Sequence, residues 1–235
     1  MRSTLLDEGR PDGLLVGRAL AVPDGPFHHD LRIACRLIDR VHGDGALPTI
    51  PATLVPGLGR RGRFLYDEPR GVPLAIRVNA DLSGRSFHAL HEIGHFLDFS
   101  GIGQPGTWAS RVDPALEDWR RAVRRSRACR QLRALARRTM VTVMGPDGVP
   151  TDIPVRRLAI EPLLPMEEFW ARSYAQYVTV VTGDSDAMTA LTALVRRSPG
   201  SVYIPVQWEQ DDFSGIAEAI ERLFRRLRWR AISVS

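Results

Sequence analysis

Two histidines and a glutamate stand at a spacing that can build a metal site. His91, Glu92 and His95 form the pattern H-E-x-x-H inside an apolar run from Phe87 to Phe99. Residues four apart share one face of a helix, because each residue turns the helix by about 100°. The two imidazoles can therefore hold one zinc ion, with Glu92 beside them facing a metal-bound water. Sites of this kind hydrolyse amide bonds.

The residues around this pattern favour a buried helix. Leu90, Ile93, Phe96 and Leu97 make the segment apolar on most sides. Polar side chains in a buried helix need partners, and a metal ion would satisfy three of them together. The alternative is a core helix in which the two histidines are hydrogen-bonded.

A third protein ligand must come from a separate segment, because catalytic zinc sites take three protein ligands and leave the fourth position to water. All six histidines lie at or before His95, so a carboxylate is the remaining choice. Glu167 and Glu168 stand together in a later apolar helix. Glu168 shares its face with Ala171 and Ala175, small residues that would let two helices approach closely. Glu167 is the alternative ligand, and a third interpretation makes both glutamates complements of the helix dipole.

The two segments together resemble a known family. His91-Glu-x-Gly-His95, followed downstream by Glu168-Phe-Trp-Ala-Arg-Ser-Tyr, resembles the gluzincin clan of zinc metallopeptidases. More narrowly, it is similar to lethal-factor-type catalytic domains and to small zincin peptidases of phages and mobile elements. The resemblance covers only these two segments. It implies a zincin-like fold and zinc-dependent peptide hydrolysis, with His91, His95 and Glu168 as ligands and Glu92 as the base.

The chain departs from the family in two ways. It lacks the Asn-Glu-x-x-x-Asp motif of thermolysin-like enzymes, and residues 158–164 lack the tyrosine that aids the oxyanion in lethal-factor-type enzymes. Tyr174, Tyr177 and Tyr203 are other candidate oxyanion donors, although each also fits a packed aromatic residue. The alternative function is therefore a catalytically silent zincin-fold binding or accessory module, associated with phages or mobile elements, whose metal is structural. The intact Glu92 opposes this alternative, because a structural site does not need it.

Two further polar residues lie on the H-E-x-x-H helix. His88 comes three residues before His91 on the same face, and we interpret it as a structural or supporting residue. Asp98 has three possible roles: it orients a ligand imidazole, pairs with Arg172, or lies on the helix surface.

The elements that must position these residues predict an α+β fold. We expect a small twisted sheet packed on the H-E-x-x-H helix, followed by a helical C-terminal half that carries the third ligand. The patterns predict strands over 49–55, 63–66, 73–79 and 202–206, a hairpin over 140–158, and helices over 27–41, 113–135, 167–181, 184–197 and 211–228. Asp81 or Ser83 is expected to cap the H-E-x-x-H helix.

Length and composition bound the organisation of the chain. Its 235 residues suffice for one domain with an appended element. Residues 1–26 are rich in Gly, Pro and charge, which predicts a flexible N-terminal arm. Residues 27–235 are predicted to form a single zincin-like metallopeptidase domain. No apolar run approaches the about 20 residues that span a bilayer, and the N-terminus lacks a signal-peptide core. Cys35 and Cys129 are interpreted as free thiols. These features predict a cytoplasmic protein.

The net charge and the distribution of arginines indicate whether a nucleic-acid partner is to be expected. The net charge is +5, and the chain contains Arg but no Lys. The Arg-rich helix after Trp119 could contact phosphates, but its apolar stripe favours a solvated outer face. We therefore expect no nucleic-acid partner, whereas a protein or peptide substrate is what the resemblance to metallopeptidases implies. The strand from Leu74 to Asn79 is expected to pair with an extended substrate.

Overall fold

The computed structural model of this chain describes residues 18–43, 47–144, 147–195 and 202–229. Its strands are β1 (Leu20–Ala21), β2 (Ile50–Val55), β3 (Gly62–Asp67), β4 (Val72–Asn79), β5 (Met140–Met144) and β6 (Pro150–Pro154). Its helices are α1 (His29–Asp39), α2 (Arg85–Ser100), α3 (Ala109–Val112), α4 (Glu117–Arg125), α5 (Arg127–Ala136), α6 (Met166–Thr182), α7 (Ser185–Val195) and α8 (Gln210–Arg226). Short 3₁₀ turns lie at Pro26–His28, Pro114–Leu116, Val155–Leu158 and Glu161–Leu163.

The predicted α+β architecture is confirmed. A mixed four-stranded sheet has the order β1-β2-β4-β3, in which only the β3–β4 pair is antiparallel. The sheet packs on α2, the helix that carries H-E-x-x-H. Residues 76–78 of β4 pair with β2 on one side and with β3 on the other. The prediction that a substrate pairs along Leu74 to Asn79 is therefore wrong over these residues, and the outer strand beside β4 is β3.

Helix α2 is buried along most of its length, as its apolar sequence predicts. Leu90, Phe96 and Leu97 have no exposed surface. The predicted cap is wrong: the N-cap is Gly84, which has a left-handed φ of 70° and provides no side-chain hydrogen bond. Asp81 is occupied elsewhere, because its carboxylate accepts a hydrogen bond from the Gly57 backbone N–H at 2.7 Å.

Helix α6 packs directly against α2 in the helical C-terminal half. The Trp170 indole N–H donates a hydrogen bond to the Gly94 carbonyl at 3.0 Å, which ties the two helices together at their crossing. The predicted small residue Ala171 lies at this point, since a Cβ atom on Gly94 would be 3.0 Å from the Ala171 Cα atom. The crossing brings the glutamate-bearing turn of α6 to the histidine face of α2.

Two predicted elements differ from the structure. The single helix expected from Asp113 to Leu135 is broken at Ser126, whose backbone is extended and whose hydroxyl accepts a hydrogen bond from the Cys129 N–H at 3.2 Å. Ser126 thereby caps α5 as a new helix. The strand expected over 202–206 is absent from the described residues there, and the Val206 N–H bonds locally to the Ile204 carbonyl instead of to a neighbouring strand. The Val206 carbonyl accepts a hydrogen bond from the Arg172 guanidinium at 2.8 Å.

The remaining elements follow the predictions more closely. The hairpin is confirmed as the antiparallel pair β5–β6, but its second strand ends at Pro154, because Val155–Leu158 form a 3₁₀ turn. Residues 145 and 146 of its turn lie outside the described residues. Residues 1–17 of the predicted arm also lie outside them, whereas Leu20 and Ala21 form β1 and pair with β2. Within the described part of the chain, no helix combines the length and apolarity that a membrane crossing requires.

Candidate metal centre

His91, His95 and Glu168 converge where α2 crosses α6. Glu168 Oε2 lies 3.6 Å from His91 Nε2 and 3.4 Å from His95 Nε2. One candidate ligand atom from each residue lies within 4.8 Å of the other two. Tetrahedral zinc with bonds of about 2.0–2.1 Å places its donor atoms about 3.3 Å apart. The three side chains can therefore hold one four-coordinate metal ion without a large rearrangement.

The three side chains remain partly open to solvent. Their exposed fractions are 19% for His91, 13% for His95 and 21% for Glu168. A closed structural zinc site has four protein ligands, whereas a catalytic site keeps one position open. Three protein donors with residual exposure fit the second kind of site, because water can reach the fourth position.

The opposite charges of Glu168 and His95 shift each other's pKa values. Burial alone would raise the pKa of Glu168, but the positive charges of His91 and His95 and their hydrogen bonds outweigh it and hold that pKa well below its usual value. The pKa of His95 is raised, since its hydrogen bond and charge interaction with Glu168 outweigh burial, which lowers it. The carboxylate is therefore ionised and ready to bind a cation.

Glu92 lies beside this cluster but is not part of it. It is 5% exposed and packs against Gly62, at the first residue of β3. A Cβ atom at Gly62 would stand only 2.5 Å from Glu92 Oε1, so the glycine leaves the space that the carboxyl group fills. Burial raises the pKa of Glu92, against the opposing charges of His91 and His95.

The alternative ligand Glu167 is engaged elsewhere. Its two carboxylate oxygens accept hydrogen bonds from the Arg111 guanidinium at 2.6 and 3.1 Å. Arg111 also lies 5.7 Å above the centre of the Trp108 ring. Adjacent helical residues point about 100° apart, so Glu167 faces Arg111 while Glu168 faces the histidines.

Arg172 lies close to Glu168, a pairing that the sequence analysis did not predict. Its Nε atom lies 3.8 Å from Glu168 Oε1, and its side chain is 3% exposed. Burial lowers its pKa to about 10, so it still carries its charge at neutral pH. The available signal was a Glu–Arg pair at i and i+4 in an otherwise apolar helix, a spacing that allows an ion pair.

Neither role predicted for Asp98 in the site is observed. Its oxygens accept hydrogen bonds from the Ser110 backbone N–H and hydroxyl, both at 2.6 Å, and Arg172 pairs with Glu168 instead. The Nδ1 atom of His95 is buried without a hydrogen-bond partner among the described residues. Asp98 is fully buried rather than on the helix surface, and it anchors the segment that begins α3.

His88 is buried next to the site without joining the cluster. Burial, together with the smaller effects of the positive charges of Arg61 and His91, lowers its pKa to about 4. The imidazole is therefore neutral at physiological pH, which fits the predicted supporting role.

The candidate oxyanion donors lie elsewhere. The Tyr174 hydroxyl is 2.8 Å from His42 Nε2 in the core, and Tyr177 packs on Phe224. Tyr203 interacts electrostatically with Glu209 and lies in the segment before α8. A tyrosine not considered in the sequence, Tyr66 on β3, stacks edge-on against Trp108 at 5.1 Å.

Trp108 connects this tyrosine to the cluster, because its ring centre lies 5.8 Å from that of His95. Tyr66 and Trp108 thus pack together beside His95. No local sequence pattern could indicate them, since they come from separate segments.

Two imidazoles and one carboxylate form a donor set that suits zinc and other divalent transition metals. A fourth polar group, the Glu92 carboxyl, is not a member of this donor set, although its charge interacts with those of all three residues. No family model, curated protein or solved structure matches this chain.

Proposed function

We propose that this protein is a zinc-dependent peptidase of zincin-like fold. His91, His95 and Glu168 would bind the zinc ion, and Glu92 would act as the general base. The observation that carries the proposal is the combination of a partly open three-ligand cluster with a buried carboxyl group beside it. A metal held only for stability would not require that carboxyl group.

The protein's own residues supply most of the chemistry. A zinc ion held by His91, His95 and Glu168 would supply a bound water with a pKa lowered to about 7 and a positive charge that polarises the scissile carbonyl. Glu92 takes the proton from the attacking water and delivers it to the leaving amine. Gly62 leaves room for the Glu92 carboxyl group, because a side chain at this position would overlap it.

Strand β3 is the best candidate for binding an extended peptide. It is one of the two outer strands of the described sheet, and its first residue, Gly62, lies against Glu92. An extended chain that added to the free edge of β3 would pass the general base. This geometry favours a protein or peptide substrate in an extended conformation.

A second function has one observation in its favour. Among the described tyrosines, the Tyr174 hydroxyl lies 2.8 Å from His42 Nε2. Tyr66 packs against Trp108, which in turn packs against His95. A site without a positioned hydroxyl donor fits a zincin-fold binding or accessory module whose metal is structural.

The experiment compares the wild type with Glu92→Gln. Zinc content is measured by mass spectrometry, and cleavage is measured on a proteome-derived peptide library. We expect one zinc per chain in both proteins and a loss of cleavage of about 10²–10⁴-fold in the variant. Glu218→Gln, on the exposed side of α8, is the matched control and should cleave like the wild type.

The outcomes separate the two functions. Equal cleavage by wild type and Glu92→Gln would remove Glu92 from the mechanism. Zinc in both proteins with cleavage by neither would favour the binding module.

A further inference from the structure

Arg172 is buried in α6, one turn after the candidate ligand Glu168. Moving a guanidinium group out of water is costly unless its charge and its N–H groups find partners. A buried arginine at this position is therefore expected to have several hydrogen-bond and charge partners.

The partners hold the guanidinium group in one place. It donates hydrogen bonds to the carbonyls of Val206 at 2.8 Å, Leu163 at 2.9 Å and Glu168 at 3.3 Å. Its central carbon also lies 4.6 Å from the centre of the Phe169 ring and 5.4 Å from that of Trp208, distances at which cation–π attraction operates. Contacts to several segments leave Arg172 little freedom to follow a moving carboxylate.

The two oxygens of Glu168 have different neighbours. Oε1 lies 3.8 Å from Arg172 Nε, whereas Oε2 lies 3.4 Å from His95 Nε2 and 3.6 Å from His91 Nε2. One oxygen of the carboxylate thus lies within ion-pair distance of a fixed cation, whose N–H groups donate to backbone carbonyls, and the other oxygen faces the imidazoles. A carboxylate without such a partner can turn and bind a metal through both oxygens.

We propose that Arg172 is a positioning residue that makes Glu168 a single-oxygen ligand by holding Oε1 away from the metal. Binding through both oxygens would occupy a coordination position that water or substrate needs. This inference rests on the metal site of the proposed function, but it does not depend on peptidase activity.

A purely structural role for Arg172 makes a different prediction. Its bonds to the Leu163 and Val206 carbonyls tie two segments to α6, so any substitution will lower stability. A structural role would lower the melting temperature without changing how the folded protein binds zinc. The test must therefore measure zinc binding as well as stability.

The test compares Arg172→Met and Arg172→Lys with Arg120→Met. Arg120 is also buried, pairs with Glu117 at 2.9 Å and bonds to backbone carbonyls, but it does not contact the cluster. The zinc dissociation constant is measured by competition with a chelating dye.

We expect Arg172→Met to bind zinc about 10–100-fold more weakly, as removal of groups that orient metal ligands generally does. Arg172→Lys, which keeps a positive charge, should lie between that variant and the wild type. Arg120→Met should melt earlier than the wild type and bind zinc equally well. Equal zinc affinity in Arg172→Met and Arg120→Met would overturn the proposal.

A crystal structure of the zinc-loaded wild type tests the same point if the variants do not fold. We expect one Glu168 oxygen at about 2.0–2.2 Å from zinc and the other beside Arg172. Both oxygens at bonding distance would overturn the proposal. A wild type that binds no zinc would overturn the proposed function as well, whereas zinc binding without cleavage would leave this inference standing.

Discussion

Gly94 of α2 lies so close to Ala171 of α6 that a methyl group on Gly94 would stand 3.0 Å from the Ala171 Cα atom. This contact joins the two helices that carry the candidate metal ligands. His95 follows Gly94 directly, and Glu168 lies one turn before Ala171. The distance between the candidate ligands is therefore set by two small residues whose side chains could not bind a metal.

Gly94→Ala should push the two helices apart. The obstacles are backbone atoms of Ala171 and the Tyr174 ring, so a flexible side chain cannot simply move aside. We expect a loss of about 1–3 kcal/mol in the free energy of unfolding, the usual effect of overpacking. Zinc affinity should fall on the order of tenfold, because a ligand set must be held within about 0.5 Å of its working geometry. Urea denaturation and dye competition measure the two effects.

Gly215→Ala is the matched control for this prediction. Gly215 also lies within a helix, α8, but a Cβ atom there would meet nothing within 4 Å. Replacing it should raise stability by about 0.5–1 kcal/mol and leave zinc affinity unchanged. If Gly94→Ala behaves like Gly215→Ala, the close crossing does not set the ligand geometry.

The candidate ligands could be predicted from the sequence because the information is local. His91 and His95 share a helix face by their spacing alone, and the small residues on the face of Glu168 distinguished it from Glu167. The structure brings together these three residues and no others into the cluster found among the described residues. Helical periodicity was enough in this case, since both ligand-bearing segments are long helices.

Other features could not be predicted because they depend on distant parts of the chain. Asp98 bonds to Ser110, across a turn that has no regular periodicity. The segment near Val206 has a strand-like composition, but its carbonyl is taken by a side chain 34 positions earlier. The approach of Gly62 to Glu92 likewise arises only when the sheet packs on α2.

Glu168→Ala and Glu167→Ala form a matched pair of adjacent substitutions. Glu168 contributes the oxygen between the two imidazoles, whereas both oxygens of Glu167 are bound to Arg111. We expect Glu168→Ala to be purified with little zinc and Glu167→Ala to keep about one zinc per chain, because a site with two remaining ligands binds poorly. Metal content by mass spectrometry decides this. Full zinc occupancy in Glu168→Ala would assign the third ligand to another residue.

Gly62→Ala should separate metal binding from catalysis. The new Cβ atom would overlap the Glu92 side chain, whose Cγ atom is 2.6 Å and Oε1 atom 2.5 Å from that position. Glu92 must then turn away from its present place, while the three candidate ligands are untouched. We expect cleavage to fall about 10²-fold or more with unchanged zinc content, since a general base must stay within hydrogen-bond reach. Wild-type turnover by Gly62→Ala would show that this position of Glu92 is not required.

His42 makes stability depend on pH. Its ring is fully buried, stacks on Phe224 at 4.2 Å, and lies 2.8 Å from the Tyr174 hydroxyl. Burial lowers its pKa from 6.5 to about 4. Between these values the unfolded chain takes up a proton at His42 and the folded chain does not. Stability contributed by the neutral ring is therefore fully present above pH 6.5 and is lost as the pH falls toward 4.

His42→Gln should weaken this dependence. A glutamine can still donate to the Gly43 carbonyl and accept from the Tyr174 hydroxyl, as the neutral imidazole does, but it cannot take up a proton. One pKa unit corresponds to about 1.4 kcal/mol, and His42 of the unfolded chain is already half protonated at pH 6.5, so the wild type should lose about 1.5 kcal/mol more than the variant between pH 6.5 and pH 5. Urea denaturation with a chelator in every sample measures the difference, because bound metal would add its own pH dependence. Parallel stability curves for the two proteins would mean that His42 is protonated as easily in the folded chain as in the unfolded one.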